Sequence, residues 1–171
     1  MKNIFYNEYM IIRKAKRKDI KECLDIYNYE VLNGIATFDI EPKTIEEWEI
    51  WFDEHIEPHI ILVSEMDGSI AGYASLSSYR KKQAYASCAE LSVYVNKEYR
   101  NQKVASKLMD SILDYAYKHD FHTIVSVITS GNSISEHLHK KYHFEYCGTI
   151  KEVGYKMNRY LSIDNYQLIL K

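Results

Sequence analysis

The sequence predicts a mixed α/β domain in which helices flank a central, mostly antiparallel β-sheet. Three observations support this class. Two helical segments follow the first strand, the middle of the chain has the two-residue alternation of strands, and helices alternate with strands towards the end. The predicted order is therefore a strand, two helices, three strands, a helix, a strand, a helix and two strands.

The first third of the chain supplies one strand and two helices. Residues 10–15 are predicted as a strand, and apolar side chains recur at helical spacing over residues 19–32. Thr44 and Glu47 have the spacing of a capping box, in which each residue satisfies a backbone N–H of the other. A second amphipathic helix is therefore predicted over residues 44–56.

The middle of the chain is predicted to be β-structure. Segments 60–65 and 70–76 flank a turn signal at 66–69, which is the pattern of an antiparallel hairpin. A further strand is predicted over 88–95 because side chains of different character alternate along it. The apolar side chains Leu91, Val93 and Val95 share one face, and Ser92 and Tyr94 share the other.

The last third alternates helices and strands. Apolar residues at helical spacing predict a long helix, and they are Val104, Leu108, Ile112 and Tyr115. Ser133 and Glu136 have capping-box spacing and predict the start of another helix. The remaining predicted elements are a strand at 122–128, a helix at 133–142 and strands at 144–150 and 160–170.

The composition is that of one globular domain. The chain has 171 residues, of which 46% are hydrophobic and 27% are charged. We expect a single domain over residues 10–171, preceded by a leader of residues 1–9 that lacks the features of a signal peptide. No apolar run has the length needed to cross a bilayer, so no membrane partner is expected.

The net charge and the cysteine content indicate which binding partners and which cellular compartment to expect. The formal net charge is −2 with both signs interspersed, which argues against a nucleic-acid partner. The three cysteines, Cys23, Cys88 and Cys147, are odd in number and far apart, and they show no metal or redox spacing. We therefore predict a reducing compartment and a cytoplasmic protein.

Four local strings carry a family resemblance. They are ATFDIEP at 36–42, SSYRKKQAY at 77–85, ELSVYV at 90–95 and GNSISEHLHKKYHF at 131–144. Through them the sequence resembles the GNAT acetyltransferase superfamily, in particular its phosphinothricin and methionine sulfoximine branch. The resemblance implies transfer of an acetyl group from acetyl-CoA to the amine of a small amino-acid-like acceptor, on a GNAT fold whose sheet is splayed for the pantetheine arm. It also implies a homodimer and no metal.

The resemblance places the cofactor at the start of the long helix. The family loop has the form Arg/Gln-x-x-Gly-x-Gly/Ala, and its backbone N–H groups hold the CoA pyrophosphate. Here Arg100 and Ala105 match this form, but Lys103 and Asn101 stand where glycines are usual. The Arg100 and Lys103 side chains can add charge-assisted hydrogen bonds to phosphate. The implied cofactor-binding set is Val93, Tyr94, Val95, Arg100, Asn101, Gln102, Lys103, Val104, Ala105, Ser106, Asn132 and Ser135. A plain helix cap is an equal account of Asn132.

Two residues are implied as catalytic. An ammonium must lose a proton before its nitrogen can attack a thioester, and the resemblance gives Glu90 the role of base. An exposed carboxylate at the start of a strand is the alternative. His139 stands where many members place the tyrosine that protonates the leaving thiolate, and packing is an equal alternative. Cys88 has no activating neighbour in sequence, which favours direct transfer without a covalent enzyme intermediate.

The acceptor site is implied by four residues. Arg80 and Lys82 resemble a pair of cations for the acceptor's carboxylate or phosphinate, although an ordinary exposed loop explains them equally well. Phe38 and Tyr85 match positions that line the acceptor pocket, and core packing is an equal account of both aromatic rings.

Other interpretations remain open at this point. Because Lys103 and Asn101 replace glycines of the family loop, a non-catalytic GNAT-like binding protein is one alternative. A different amine, such as an antibiotic, a polyamine or a protein N-terminus, is a further alternative, although a polyamine favours acidic residues around its site. His139 and His143 are four residues apart, but no acidic residue of a metal motif accompanies them.

Overall fold

The computed structural model describes residues 10–170 and confirms the predicted class and order of elements. The predicted leader of residues 1–9 lies outside the described residues. One domain over 10–171 stays a prediction. The elements are β1 (Ile11–Lys14), α1 (Ile20–Asn33), α2 (Ile45–Asp53), β2 (Ile60–Met66), β3 (Ser69–Ser78), β4 (Cys88–Val95), α3 (Val104–Lys118), β5 (Thr123–Thr129), α4 (Ser133–Lys141), β6 (Glu145–Lys156) and β7 (Arg159–Ile169).

The seven strands form one sheet with the order β1-β2-β3-β4-β5-β7-β6. All neighbouring strands pair antiparallel except β4 and β5, which are parallel. This parallel pair is short, because the register joins only Cys88–Glu90 of β4 to Thr123–Val125 of β5. Beyond Glu90 the two strands no longer pair, so a cleft opens between their carboxyl ends. The splayed sheet that the family resemblance implies is present.

A hydrophobic core lies on each face of the sheet. On one face, α3 packs through Leu108, Met109 and Ile112 against Leu76 of β3 and Leu91 of β4. On the other face, α1 and α2 bury a second cluster, which includes Ile20, Leu24, Trp48, Val63 and Tyr73. The alternation predicted for β4 is confirmed, because its apolar positions face α3 and its polar positions face the helices α1 and α2.

The two predicted helix caps have different outcomes. At α2 the capping box is confirmed, since the Glu47 amide donates to Thr44 Oγ1 (3.2 Å) and the Thr44 amide donates to Glu47 Oε2 (2.8 Å). At α4 the predicted Ser133–Glu136 box is wrong. The cap is Asn132, whose Oδ1 accepts from the Ser135 amide at 3.3 Å. The helix begins at Ser133 itself, so the side chain one residue earlier reaches the unpaired amides.

Strand β6 is longer than predicted. It continues from the predicted 144–150 region to Lys156, and its register with β7 shifts between Ile150 and Gly154. The shift interrupts the two-residue alternation along the strand. No helix within the described range 10–170 combines the length and apolar character required to span a bilayer.

Candidate active site

A cavity of about 800 Å³ lies on the face of the sheet that α1 and α2 cover. Its floor consists of alternate side chains of β3 and β4, which stand directly opposite each other in three cross-strand pairs. We call these six residues the polar floor. The pairs are Tyr73 with Tyr94, Ser75 with Ser92, and Ser77 with Glu90.

Glu90 lies where the cavity meets the cleft between the strands. It is the last residue of β4 that pairs with β5, opposite Val125, and its side chain lines the cavity. The carboxyl group is half-buried, and burial raises the pKa of Glu90 above its ordinary value. A carboxylate with a raised pKa is a better proton acceptor than an exposed one, so Glu90 is well placed to act as a base.

Aromatic side chains form the walls of the cavity. Tyr27 and Trp48 contact each other with ring centroids 5.6 Å apart, and Trp51 extends the same wall. Phe38 lies on the opposite side against Gly154 of β6, where an added Cβ would be only 2.4 Å from the ring. Gly154 therefore leaves the space that the Phe38 ring occupies. The shifted region of β6 shapes the cavity in this way.

The connection between α1 and α2 is held by hydrogen bonds from three strands. The buried Lys156 of β6 donates from Nζ to the Thr37 carbonyl at 2.8 Å, and burial lowers the pKa of this lysine. Thr129 of β5 donates to the Ile35 carbonyl, and Tyr94 of β4 donates to the Ala36 carbonyl. The segment that contains Phe38 is therefore fixed to the sheet.

The start of α3 has the backbone conformation of a glycine-containing loop without the glycines. Asn101 and Lys103 both have φ of 63°, in the left-handed region. Asparagine tolerates this region better than lysine, because its short polar side chain can hydrogen-bond locally. Lys103 is the N-cap of α3 and makes no side-chain hydrogen bond to the helix. The first amides of this 15-residue helix therefore remain available to an anion.

These features fit acetyl-CoA. The unpaired edge of β4 beyond Glu90 offers backbone groups to an extended amide-containing chain, and the start of α3 offers amides to a pyrophosphate. Val104 is buried behind this loop, in agreement with the aliphatic position of the motif. The predicted residues Val93, Tyr94 and Val95 belong to the same end of β4.

Arg100 already has a carboxylate partner. Its guanidinium forms an ion pair with Glu30 of α1 at 2.5 Å and lies over the Tyr29 ring. Lys103 is exposed and forms no ion pair within the described residues. Arg100 and Lys103 are the two cations predicted to bind the CoA phosphates. Within the described residues, only Lys103 has no carboxylate partner.

His139 is not among the residues that line the cavity. It is 4% exposed, and its Nδ1 lies 2.8 Å from the Ser135 carbonyl, which can only accept, so Nδ1 carries the ring proton. Burial lowers the pKa of His139, so the ring is neutral at neutral pH. Its Nε2 faces Ser126 Oγ at 2.8 Å, and the same hydroxyl lies 3.2 Å from the Leu91 carbonyl. Ser126 has one proton, so its hydroxyl donates to Nε2 rather than to the Leu91 carbonyl, and His139 fixes this hydroxyl beside the point where β4 leaves β5.

Three of the predicted acceptor residues lie outside the cavity. Arg80 and Lys82 are exposed in the β3–β4 connection, and Arg80 packs over the rings of Tyr79 and Tyr85 at 5.0 and 5.7 Å. Of the predicted acceptor set, only Phe38 is among the cavity-lining residues. The structure therefore brings Phe38 and Glu90 together but does not bring Arg80, Lys82 or Tyr85 to them.

The cavity lining is acidic instead. Asp39, Glu47, Glu54 and Glu90 line it, and Lys43 is the single cation among the lining residues. Lys43 is shared between Asp39 at 3.6 Å and Glu47 at 3.9 Å. Sequence reasoning missed this arrangement because Asp39 and Glu90 lie far along the chain from each other, outside the helix α2 that carries Glu47 and is capped by Glu54.

The described residues contain no arrangement suited to a metal ion. Across 10–170, no group of three or more His, Cys, Asp or Glu side chains could hold one. His143 is exposed beyond the end of α4 with φ of 63°, whereas His139 is buried beneath the sheet. The two histidines do not converge.

A family model described as an acetyltransferase (GNAT) domain matches residues 12–164. The chain belongs to the GNAT acetyltransferase family. This membership confirms the predictions of an acetyl-CoA-dependent N-acetyltransferase and of its fold.

Its similarity to known GNAT proteins covers most of the chain. A phosphinothricin N-acetyltransferase of Streptomyces coelicolor is 36% identical and covers 91% of this chain and 94% of its own. An L-methionine sulfoximine/L-methionine sulfone acetyltransferase of Pseudomonas paraeruginosa is 32% identical, with coverage of 93% and 94%. A Sinorhizobium meliloti phosphinothricin acetyltransferase, solved in complex with acetyl-CoA, has a TM-score of 0.91, 28% identity and coverage of 94% and 88%. The resemblance to this branch is confirmed.

The GNAT site contains residues that the sequence did not single out. Ser75 and Ser92 of the polar floor were predicted only as strand residues, and Ser77 only as the start of a family string. Thr129 and Lys156, which fix the connection that contains Phe38, lie just outside the predicted strands. The two-residue period of β3 and β4 was the one signal available for the serines, since it places them on the face of Glu90.

Proposed function

We propose that this GNAT enzyme transfers the acetyl group of acetyl-CoA to the α-amine of a small amino-acid-like acceptor of the phosphinothricin or methionine sulfoximine type. The observation that carries the proposal is the position of Glu90. A half-buried carboxyl group with a raised pKa lies at the junction of the acceptor cavity and the cleft beside β4. The acceptor class is supported by the similarity to a phosphinothricin N-acetyltransferase at 36% identity and to a methionine sulfoximine/methionine sulfone acetyltransferase at 32% identity.

The mechanism uses direct attack. When bound, acetyl-CoA supplies the acetyl group as a thioester, whose thiolate is a good leaving group because thiol pKa values are about 8.5. Glu90 takes one proton from the acceptor's ammonium, either directly or through a water. The amine nitrogen then bonds to the acetyl carbon as the carbon–sulfur bond breaks, and the second amine proton leaves with the thiolate as free thiol. A backbone N–H of β4 beyond Glu90 stabilises the developing negative charge on oxygen.

The other predicted residues have supporting roles in this proposal. The amides at the start of α3, with Lys103, hold the phosphates of the co-substrate. We assign His139 to fixing the Ser126 hydroxyl beside the point where the strands separate, because its ring proton is committed to the Ser135 carbonyl. Phe38 forms an apolar wall against the body of the acceptor.

The test combines calorimetry with an acceptor screen. Acetyl-CoA is titrated into the purified protein, and release of free CoA thiol is then followed with methionine sulfoximine, methionine sulfone and phosphinothricin. We expect micromolar binding of acetyl-CoA and thiol release with at least one of these acceptors. Binding without transfer to any amine would favour the non-catalytic alternative, and absence of binding by folded protein would overturn the proposal.

The acidic lining favours a second candidate function. Four carboxyl groups and one shared lysine line the cavity, and this balance suits a cationic amine that has no carboxylate. The same assay with a diamine in place of an amino acid separates the candidates. A higher kcat/KM for the diamine would support this second candidate.

We also propose a homodimer through the outer strands. Large side chains on β6 and β7 are exposed on the described chain, among them Tyr146, Ile150, Val153, Tyr155 and Tyr160. Light scattering after size-exclusion chromatography should give twice the chain mass of 20.2 kDa. We propose a cytoplasmic location as well, because Cys23, Cys88 and Cys147 are all free thiols.

A further inference from the structure

Ser77 stands directly across the β3–β4 ladder from Glu90. Both side chains line the cavity, so they face the same space. Side chains directly opposite each other in an antiparallel pair have Cβ atoms about 4.5–5.5 Å apart. One ammonium group can therefore contact a Ser77 oxygen and a Glu90 oxygen at the same time.

The hydroxyl of Ser77 is oriented by His55, which follows helix α2. His55 Nδ1 lies 2.8 Å from the Trp51 carbonyl, and a carbonyl can only accept, so Nδ1 carries the ring proton. His55 Nε2 lies 2.9 Å from Ser77 Oγ. In the neutral ring this nitrogen has a lone pair and accepts the Ser77 proton. Burial lowers the pKa of His55, which favours this neutral ring.

This bond determines what Ser77 offers to the cavity. A hydroxyl has one proton to donate and two lone pairs to accept with. Because His55 takes the proton, Ser77 presents only acceptor capacity to a ligand. Ser77 is thus a fixed hydrogen-bond acceptor opposite Glu90. Ser75, the next residue of β3 on the same face, is fully buried and has a hydroxyl without a hydrogen-bond partner among the described residues.

We propose that Ser77 is the second hydrogen-bond acceptor for the acceptor's ammonium, next to Glu90, and that His55 is a positioning residue that fixes the Ser77 hydroxyl. One N–H of the ammonium contacts Glu90 and loses its proton to that carboxylate, and a second N–H remains bonded to Ser77 Oγ. The bond to Ser77 restricts rotation of the neutral amine about its C–N bond and keeps the nitrogen beside Glu90. This inference rests on the proposed acetyltransferase function.

The test measures acceptor kinetics in three variants. Ser77→Ala should raise the acceptor KM about tenfold, because a hydrogen bond to a charged group is lost, whereas the acetyl-CoA Kd should not change. Ser77→Thr keeps the hydroxyl and should recover a large part of the loss. His55→Phe should act in the same direction with a smaller effect. Ser78→Ala is the matched control, since this exposed neighbour does not line the cavity.

A double variant tests the positioning role. If His55 acts through Ser77, then His55→Phe combined with Ser77→Ala should be no worse than Ser77→Ala alone. Additive losses would overturn the role of His55, and a Ser77→Ala enzyme with an acceptor KM within twofold of wild type would overturn the whole inference. A wild-type protein that acetylates no amine would instead overturn the proposed function, and this inference with it. Ser77→Ala removes one oxygen only, and its melting temperature checks that it is folded.

Discussion

The two sides of Glu90 are built in different ways. On the cofactor side, the unpaired edge of β4 and the first amides of α3 are backbone groups, and two non-glycine residues adopt the left-handed conformation usual for glycine. On the acceptor side, the cavity is made by side chains from α1, α2, the strands β3 to β7 and the connection that contains Phe38. A backbone site survives changes of residue type as long as φ and ψ are kept. A site made of side chains gains or loses a contact to its ligand when one of those side chains is replaced.

The largest effect that separates the two sides is expected from Glu90→Gln. Loss of the base should lower kcat by about 10²–10⁴-fold. The acetyl-CoA Kd should stay within twofold, because the proposed cofactor side consists of backbone groups and the Lys103 side chain and does not include the Glu90 carboxylate. Stopped-flow kinetics and calorimetry measure the two quantities. Glu49→Gln, on the exposed side of α2, is the control for the charge change. A parallel loss of acetyl-CoA affinity would show that the two sides are not independent.

The pH profile should report the same carboxyl group. Only ionised Glu90 accepts a proton, and burial raises the pKa of Glu90, so activity is lost as pH falls through that raised value. The acid limb of kcat/KM should therefore lie above the ordinary glutamate value of about 4.3, with a tenfold loss per pH unit below it. In Glu90→Gln this limb should vanish. A limb at the ordinary value would mean that another group controls the rate.

Gly154→Ala should disturb the acceptor side alone. The added Cβ would lie 2.4 Å from the Phe38 ring, so the ring must move and the free energy of unfolding should fall by about 1–3 kcal/mol. The acceptor KM should rise several-fold, and the acetyl-CoA Kd should be unchanged. Thermal unfolding of the double variant Phe38→Leu with Gly154→Ala provides the check, since the smaller side chain should restore most of the lost stability. If the double variant is no more stable than Gly154→Ala, the strain comes from contacts other than the one with Phe38.

The smallest effect is expected from Lys103→Gly on the cofactor side. Release of a lysine from the left-handed region stabilises the folded chain by about 1–2 kcal/mol, and the greater freedom of glycine in the unfolded chain offsets roughly half of this. Chemical denaturation should show the gain. Lys103→Asn, which tolerates the same φ, also removes the charge and should give a smaller gain. If either variant weakens acetyl-CoA binding more than tenfold, the lysine side chain contributes more than the backbone does.

Local patterns predicted most of the fold. The Thr44–Glu47 box marks the start of α2, and the alternation along 88–95 is enough to place Ser92 and Tyr94 on one face of β4. What could not be predicted depends on contacts between distant residues. The His55–Ser77 bond spans 22 positions and the Lys156–Thr37 bond spans 119. At α4 the box predicted at Ser133 was wrong and the alternative account of Asn132 as a helix cap is confirmed, because neighbouring asparagine and serine are both favourable N-cap residues.

The short pairing of β4 with β5 has a consequence for how the fold holds together. Only three residues of each strand join the β1–β4 half of the sheet to the β5–β7 half. The backbone groups of β4 beyond Glu90 that point towards β5 therefore exchange their amide hydrogens with solvent faster than those bonded to β3. A ligand with amide groups along this edge slows that exchange and links the two halves. It also raises the melting temperature, by an amount that grows with the logarithm of the free ligand concentration above its Kd. The sheet is in this sense completed by the molecule that the enzyme consumes.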